Sequence, residues 1–146
     1  MRVLVVIAVL AAAGAGYWFL NRDGGNPPKP ADSGIASVNP SPTSVAAVQQ
    51  AEDQAAKNPT PGNYLNLSLA DYQAKRLPES IAAARQALNL QPAYAEAWNN
   101  ICAAHNDLKH WDDAIQACQE AVRLKPDLQL AKNNLAWAVS EKAKGH

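Results

Sequence analysis

The sequence predicts an all-α protein built from antiparallel helix-turn-helix units, and three observations support this fold class. Residue types that favour helices, such as Ala, Leu, Gln and Lys, are common, whereas Val, Ile, Phe, Tyr and Thr are scarce. Segments 61–94 and 95–128 align with each other at an offset of 34 residues. Prolines and helix-capping residue types bound the segments that have helical spacing. The 146 residues allow one modest domain with short flanking segments.

The first 20 residues contain an apolar segment, residues 3–20, that carries no charged side chain. As a helix it would be about 27 Å long, close to the thickness of a bilayer's hydrocarbon core. We expect a transmembrane signal anchor, with Tyr17 and Trp18 at the membrane interface and the rest of the chain in the periplasm. The alternative is a signal peptide cleaved at the small residues 13–15, which would leave a secreted protein.

Residues 21–44 are rich in Gly, Pro, Ser and Asn and include five prolines. Such a composition cannot bury a core, so we expect a disordered, semi-extended linker. A lead helix follows in 45–58, with Thr43 or Ser44 as its cap and Pro59 after its end. Its small apolar residues fall on one side at helical spacing, and they are Val45, Val48, Ala51 and Ala55.

The 34-residue repeat is the strongest signal in the chain. Eight positions are identical between the two segments: Asn66/Asn100, Ala70/Ala104, Lys75/Lys109, Ile81/Ile115, Ala83/Ala117, Ala87/Ala121, Leu90/Leu124 and Pro92/Pro126. Each segment contains a first helix, A, at about 63–75 or 97–109, and a second helix, B, at about 79–90 or 113–124. A third unit begins at 129 and stops after one helix, at about 131–143, which would cap the stack.

These units resemble tetratricopeptide repeats. The second unit carries the family's pattern at Trp98, Ile101, Ala114, Ala121 and Pro126. The first carries it at Tyr64, Leu67, Ser80, Ala87 and Pro92. The sequence departs from the family at Asp71 and His105, where a tyrosine is common, and at Cys102, where glycine or alanine is usual. The resemblance implies a superhelix of stacked hairpins, with repeats at 61–94 and 95–128 and a partial repeat at 129–146, that binds protein ligands.

The two cysteines are expected to face each other across one hairpin. The turn of the second unit is centred near His110, so residues whose numbers sum to about 220 lie opposite each other, as Cys102 and Cys118 do. In an exported domain they would form a disulfide, whereas in the cytoplasm they would be two buried thiols. A zinc site made of both cysteines, His105 and His110 matches no standard spacing, so we expect no metal.

The asparagines suggest a binding surface. Asn66, Asn100 and Asn134 recur every 34 residues, so a regular superhelix would align them on its inner surface. An amide can both donate to and accept from a peptide backbone, and the pattern is similar to the asparagine ladder of the O-GlcNAc transferase superhelix. Six further residues were predicted to contact the peptide, and they are Asn99, Asn133, Leu65, Leu69, Tyr72 and Trp137. The alternatives are that the asparagines only solvate a helix face and that the lead helix covers the apolar residues.

The predicted function is a membrane-tethered scaffold that binds a protein segment or extended peptide in the groove lined by the A helices. The alternative is a structural, self-associating subunit of an envelope complex, so a homo-oligomer is a further possibility. Lysine plus arginine and aspartate plus glutamate each total 13, which argues against a nucleic-acid partner. The sequence contains no phosphate-binding glycine loop and no hydrolase or zinc-protease motif, so we expect neither enzymatic activity nor a cofactor.

Overall fold

The structure of the protein is a computed structural model that describes residues 42–145. Over this range the chain forms six α-helices and no β-strand. The helices are α1 Pro42–Lys57, α2 Pro61–Gln73, α3 Leu77–Leu90, α4 Ala95–Asp107, α5 Trp111–Leu124 and α6 Gln129–Ala143. The predicted all-α fold class is therefore confirmed for the described part of the chain.

The predicted membrane anchor at 3–20 lies outside the described residues, as does most of the linker predicted for 21–44. None of the described helices is both long and apolar enough to cross a bilayer. Helix α1 begins at Pro42, inside the predicted linker and three residues before the predicted helix start. Proline is tolerated in the first turn of a helix, where its missing N–H leaves no bond unmade, so Pro42 is compatible with the observed helix start.

The helices pack as successive hairpins. Helix α2 pairs with α3, and α4 pairs with α5, while α3 packs against α4 to join the two hairpins. Helix α1 packs on α2, and α6 packs on α5 and α4. The first helices of the units, α2, α4 and α6, also contact one another in order. This arrangement brings side chains about 34 residues apart into neighbouring positions on one surface. We call the surface formed by α2, α4 and α6 the A-helix face.

Each A helix that leads into a B helix is followed, two residues after its end, by a lysine with a left-handed backbone. Lys75 and Lys109 each have φ 60°, and each A helix stops two residues before its lysine. The N–H groups of Lys75 and Arg76 bond back to the carbonyls of Tyr72 and Asp71 at 3.0 and 2.9 Å, and the same two bonds recur after Lys109. This is a Schellman motif, in which glycine is the usual residue at the left-handed position. It ends each A helix two residues earlier than predicted.

The core lies between the two hairpins and consists mainly of small side chains. Its buried members are Ala84, Ala87, Leu88, Ala97, Ile101, Cys102, Ala117 and Cys118. Larger residues surround this cluster while remaining partly exposed, and they are Tyr64, Leu65, Tyr94, Trp98 and Leu135. Small residues at the centre let the helix backbones approach closely, and the aromatic rings at the edge add apolar contacts with the cluster.

Helix α1 covers the outer side of α2, as a lead helix is expected to do. Val48 and Ala55 are almost fully buried, which agrees with the predicted apolar side of this helix. Val45, predicted on the same side, is 56% exposed. It lies in the first turn of α1, and its exposure shows that it contributes little to the packing.

Candidate functional site

The two cysteines form a disulfide within the α4–α5 hairpin. Their Cα atoms are 5.2 Å apart, and both side chains are completely buried. The equivalent residues of the first hairpin, 34 positions earlier, are Ser68 and Ala84, which are also fully buried. Both hairpins thus have a pair of small side chains where their two helices cross. The cysteine sulfurs are bonded to each other and so are unavailable as metal ligands or as a nucleophile.

The three repeated asparagines do not form a ladder of equivalent free amides. Asn100 donates from Nδ2 to Ser68 Oγ at 3.3 Å and is half-buried. Asn134 is buried and donates from Nδ2 to Asn99 Oδ1 at 2.9 Å. Only Asn66 is exposed. Two of the three amides therefore bond to neighbouring A helices, and peptide binding by the ladder stays a prediction.

The two additional amides of the predicted set also differ from each other. Asn99 is buried as the acceptor of the bond from α6, and its contact with a peptide stays a prediction. Asn133 is exposed and accepts a bond from Gln129 Nε2 at 2.9 Å, one turn earlier on the same helix. Asn133 therefore remains on the surface, where a ligand has access to it.

The predicted apolar contacts lie on the A-helix face and are exposed or half-buried. Leu69 is 46% exposed, whereas Leu65 and Tyr72 are half-buried. Lys75 Nζ lies 5.5 Å from the centre of the Tyr72 ring. Trp137, on α6, is half-buried with Lys144 Nζ at 5.6 Å from its ring centre. The A-helix face thus carries apolar groups at its two ends and amides bonded between helices in its middle.

A cleft of about 550 Å³ lies where α4 and α6 meet the turns that follow α2 and α4. Its lining combines two tryptophans, charged groups of both signs and an amide, and consists of Lys75, Leu77, Asn106, Asp107, Lys109, Trp111, Trp137 and Glu141. Of the residues predicted to bind peptide, only Trp137 lies in it. We refer to this surface as the tryptophan cleft.

Charged groups around the tryptophan cleft are partly paired with one another. Lys75 Nζ lies 3.3 Å from Asp107 Oδ2, which joins α2 to the end of α4. Lys144 Nζ lies 2.6 Å from Glu141 Oε1 on the rim. Exposed pairs of this kind contribute little to stability, about 0–1 kcal/mol each. Their main consequence is that the cleft presents both signs of charge beside its aromatic rings.

Asn106 provides the cleft with an unsatisfied polar atom. The residue is buried, and its Nδ2 donates to the Asn134 carbonyl at 3.1 Å and contacts Cys102 Sγ at 3.7 Å. Its Oδ1 has no hydrogen-bond partner within the described structure. Because an unpaired buried carbonyl oxygen costs roughly 1–3 kcal/mol, a donor from a ligand or water would stabilise this site.

Two buried titratable side chains stand where the resemblance led us to expect tyrosine. Burial raises the pKa of the Asp71 carboxyl, an effect that the Arg76 guanidinium opposes from 3.2 Å. Burial lowers the pKa of the His105 imidazole, and the Asp113 carboxylate at 4.0 Å opposes this change. Both shifts favour the neutral form, as is expected for groups removed from water.

Comparison with known proteins identifies the fold. Residues 95–128 match the family model described as Tetratricopeptide repeat. The NMR structure of the first TPR domain of the human RPAP3 protein superposes with a TM-score of 0.63 at 20% sequence identity, over 70% of this chain and 84% of that one. The described helices have the tetratricopeptide repeat fold. A search of curated protein sequences found no match to the chain.

Four residues that line the tryptophan cleft were not among the predicted site residues, and they are Asn106, Asp107, Lys109 and Trp111. They lie at the end of α4, in the following turn and at the start of α5, a region that the sequence indicated only as a helix boundary. One signal was available, because Lys109 is identical to Lys75 across the repeat. The identity of Lys75 and Lys109 indicated the repeat, but it could also have indicated a surface to which both units contribute.

Proposed function

We propose that this chain is a membrane-tethered tetratricopeptide scaffold that binds a segment of a partner protein at the tryptophan cleft. Tetratricopeptide repeat domains generally mediate protein–protein interactions, and nothing in the comparisons points to catalysis. The observation that carries the proposal is the cleft itself, which joins two tryptophan rings to a buried amide oxygen without a partner. We place the main contacts there rather than on an asparagine ladder.

A short protein segment matches the chemistry of this cleft. Tryptophan is among the residues that contribute most to binding energy at protein interfaces, and Trp111 and Trp137 supply two such rings. Asn106 lines the cleft, and its buried Oδ1 can accept one N–H of the segment's backbone once the side chain turns toward the cleft. Lys109 and Glu141 offer both signs of charge at the edge and so favour a mixed-charge ligand. The exposed Leu69 and Asn66 extend the same face toward α2.

Tethering is supported by the sequence alone. The uncharged residues 3–20 are long enough for one bilayer crossing, and residues 21–41 separate them from α1. Fully extended, that separation reaches at most about 70 Å, which would let the domain meet partners well beyond the lipid surface. Alkaline extraction of membranes tests the tether, because an anchored chain stays with the pellet and a cleaved, secreted one does not.

The binding proposal is tested by site-specific photo-crosslinking in native membranes. A photoreactive amino acid replacing Trp137 should capture a partner, and Trp137→Ala should weaken that partner's co-purification. Leu130→Ala is the matched control, since it is an exposed apolar residue on the same helix outside the cleft. Equal capture by the Trp137→Ala and Leu130→Ala chains would exclude the tryptophan cleft as the binding surface.

Self-association is a second candidate, and one observation favours it. Among the described residues no B helix follows α6. The side of α6 that corresponds to the α5-covered side of α4 is therefore uncovered in the described structure. Ala136 and Val139, 34 positions after Cys102 and His105, are exposed there. A second copy covering this side would make the mass in solution concentration-dependent. Sedimentation of the unaltered chain and of a Val139→Asp variant distinguishes this from a monomeric scaffold.

A further inference from the structure

A second cluster of chemically active side chains lies at the turn between α4 and α5, apart from the tryptophan cleft. It contains His105 from α4, His110 from the turn and Asp113 from the first turn of α5. One nitrogen of each imidazole and one oxygen of the carboxylate lie within 4.8 Å of one another. The two imidazole ring centres are 5.7 Å apart. Three possible donor atoms, one each from α4, the turn and α5, thus lie close together.

Within this cluster, one ring nitrogen of His105 has no hydrogen-bond partner. Its side chain is only 12% exposed, and its Nδ1 atom is buried without a hydrogen-bond partner. The Asp113 carboxylate is 4.0 Å away, too far for a hydrogen bond. A buried nitrogen that binds neither protein nor water is uncommon in folded proteins. An electron-pair acceptor held between His105 and Asp113 would satisfy both groups.

The protonation state of His105 suits such an acceptor. Burial lowers the pKa of its imidazole, so the ring is mainly neutral near neutral pH and its lone pair is available. Positive charge from Arg85, on α3, also lowers this pKa and disfavours a bound cation. The Asp113 carboxylate acts in the opposite direction and lies closer to the cluster's centre.

We propose that His105, His110 and Asp113 form a binding site for a divalent transition-metal ion, with Zn²⁺ as its representative. Two imidazoles and one carboxylate are a donor set typical of zinc, copper and nickel, whereas calcium and magnesium prefer oxygen donors only. Zinc bonds of about 2.0–2.2 Å require donors closer together than they are in this structure. His110 and Asp113 are exposed, so rotation of these two side chains can close the set around an ion.

Space for the remaining coordination positions is available beside the cluster. His105 and Asp113 line a second cleft, of about 610 Å³, that also borders α3. Three protein ligands leave at least one position of a tetrahedral ion open to water. The sequence predicted no metal because a site made of both cysteines, His105 and His110 matches no standard spacing. The disulfide removes the cysteines as donors, and Asp113 is the third donor of the cluster in the structure.

The experiment is calorimetric titration of the purified full chain, without a histidine tag, with Zn²⁺ alone. His110→Gln and Asp113→Asn each remove one donor from an exposed position, so the fold should be retained, which circular dichroism checks. Asp112→Asn is the matched control, since this neighbouring carboxylate pairs with Lys142 and lies outside the cluster. A His146→Gln variant removes the chain's third histidine.

The unaltered chain should bind one Zn²⁺, and loss of either exposed donor should weaken binding by roughly tenfold or more, as lost metal contacts do. The two control variants should bind as the unaltered chain does. The proposal is overturned if the unaltered chain shows no saturable binding. It is equally overturned if the His110→Gln and Asp113→Asn chains bind as tightly as the controls.

Discussion

The disulfide between α4 and α5 is expected to contribute a large part of the domain's stability. The perturbation is the double substitution Cys102→Ala and Cys118→Ala. Both positions are completely buried, and the equivalent residues of the first hairpin are Ser68 and Ala84. Small side chains are therefore compatible with this crossing, so we expect the variant to fold into the same arrangement.

The magnitude follows from the length of the closed loop and from the buried volume removed. The bonded cysteines are 16 residues apart in sequence, for which the chain-entropy account gives about 3 kcal/mol. Removing two buried sulfur atoms adds roughly 1 kcal/mol or more through lost contacts and small cavities. The free energy of unfolding should therefore fall by about 4 kcal/mol, a large share of the roughly 5–15 kcal/mol of an ordinary domain.

The assay is urea unfolding of the full chain, followed by helical circular dichroism. With a slope of about 1–3 kcal/mol per molar urea, a loss of this size moves the midpoint by more than about 1 M. A reductant applied to the unaltered chain separates the two contributions, because it opens the loop while leaving both sulfurs in place. The reduced chain should therefore lose about 3 kcal/mol. The reductant should not affect the double variant.

One outcome would refute this reasoning. If thiol counting shows that the reduced chain has two free thiols and its midpoint still matches that of the oxidised chain, the loop contributes no stability. Thiol counting on the unaltered, denatured chain provides the companion check, since it should find no free thiol without reductant.

Three other predictions test separate features of the structure. Asn134→Ala should lower the free energy of unfolding by about 1–3 kcal/mol in urea melts, because it leaves a buried amide without its partner, while Asn66→Ala at an exposed position should have almost no effect. Since burial lowers the pKa of His105, stability should be complete above about pH 6.5 and fall as the pH drops toward the folded-state pKa; His105→Gln should flatten this dependence, and Asp113→Asn should strengthen it. Lys109→Gly should raise the free energy of unfolding by about 0.5–1 kcal/mol, because glycine adopts φ 60° without strain. Thermal unfolding checks this, and an unchanged or lower midpoint temperature would contradict it.

Features governed by backbone periodicity could be predicted from the sequence. The 34-residue offset and the prolines predicted the helices to within a few residues. Hairpin symmetry about His110 placed Cys102 opposite Cys118 because facing positions in an antiparallel pair depend only on the turn. Helix ends were less accurate, since the left-handed residues are Lys75 and Lys109, whereas glycine is the usual sequence signal for that conformation.

The hydrogen bonds of the repeated asparagines depend on neighbouring side chains, which the 34-residue repeat does not predict. Asn134 bonds to Asn99, which lies 35 residues earlier, but the residue 35 before Asn100 is Leu65, which has no side-chain acceptor. Asn100 bonds instead to Ser68, 32 residues earlier. Identical residues at a fixed period therefore met different partners. Only the packed structure shows which amides remain free for a ligand.

The position of α6 as the last described helix has a consequence for how the protein responds to a ligand. Among the described helices α6 packs on α4 and α5 alone, and it packs less extensively than the helices between α1 and α6. Terminal elements of a stacked array open most readily, and their backbone amides exchange hydrogen with solvent fastest. Trp137 places α6 in the wall of the tryptophan cleft, so an occupant there would hold the helix against α4. Slower amide exchange confined to α6 would then report occupancy of the cleft, even when the rest of the molecule does not change.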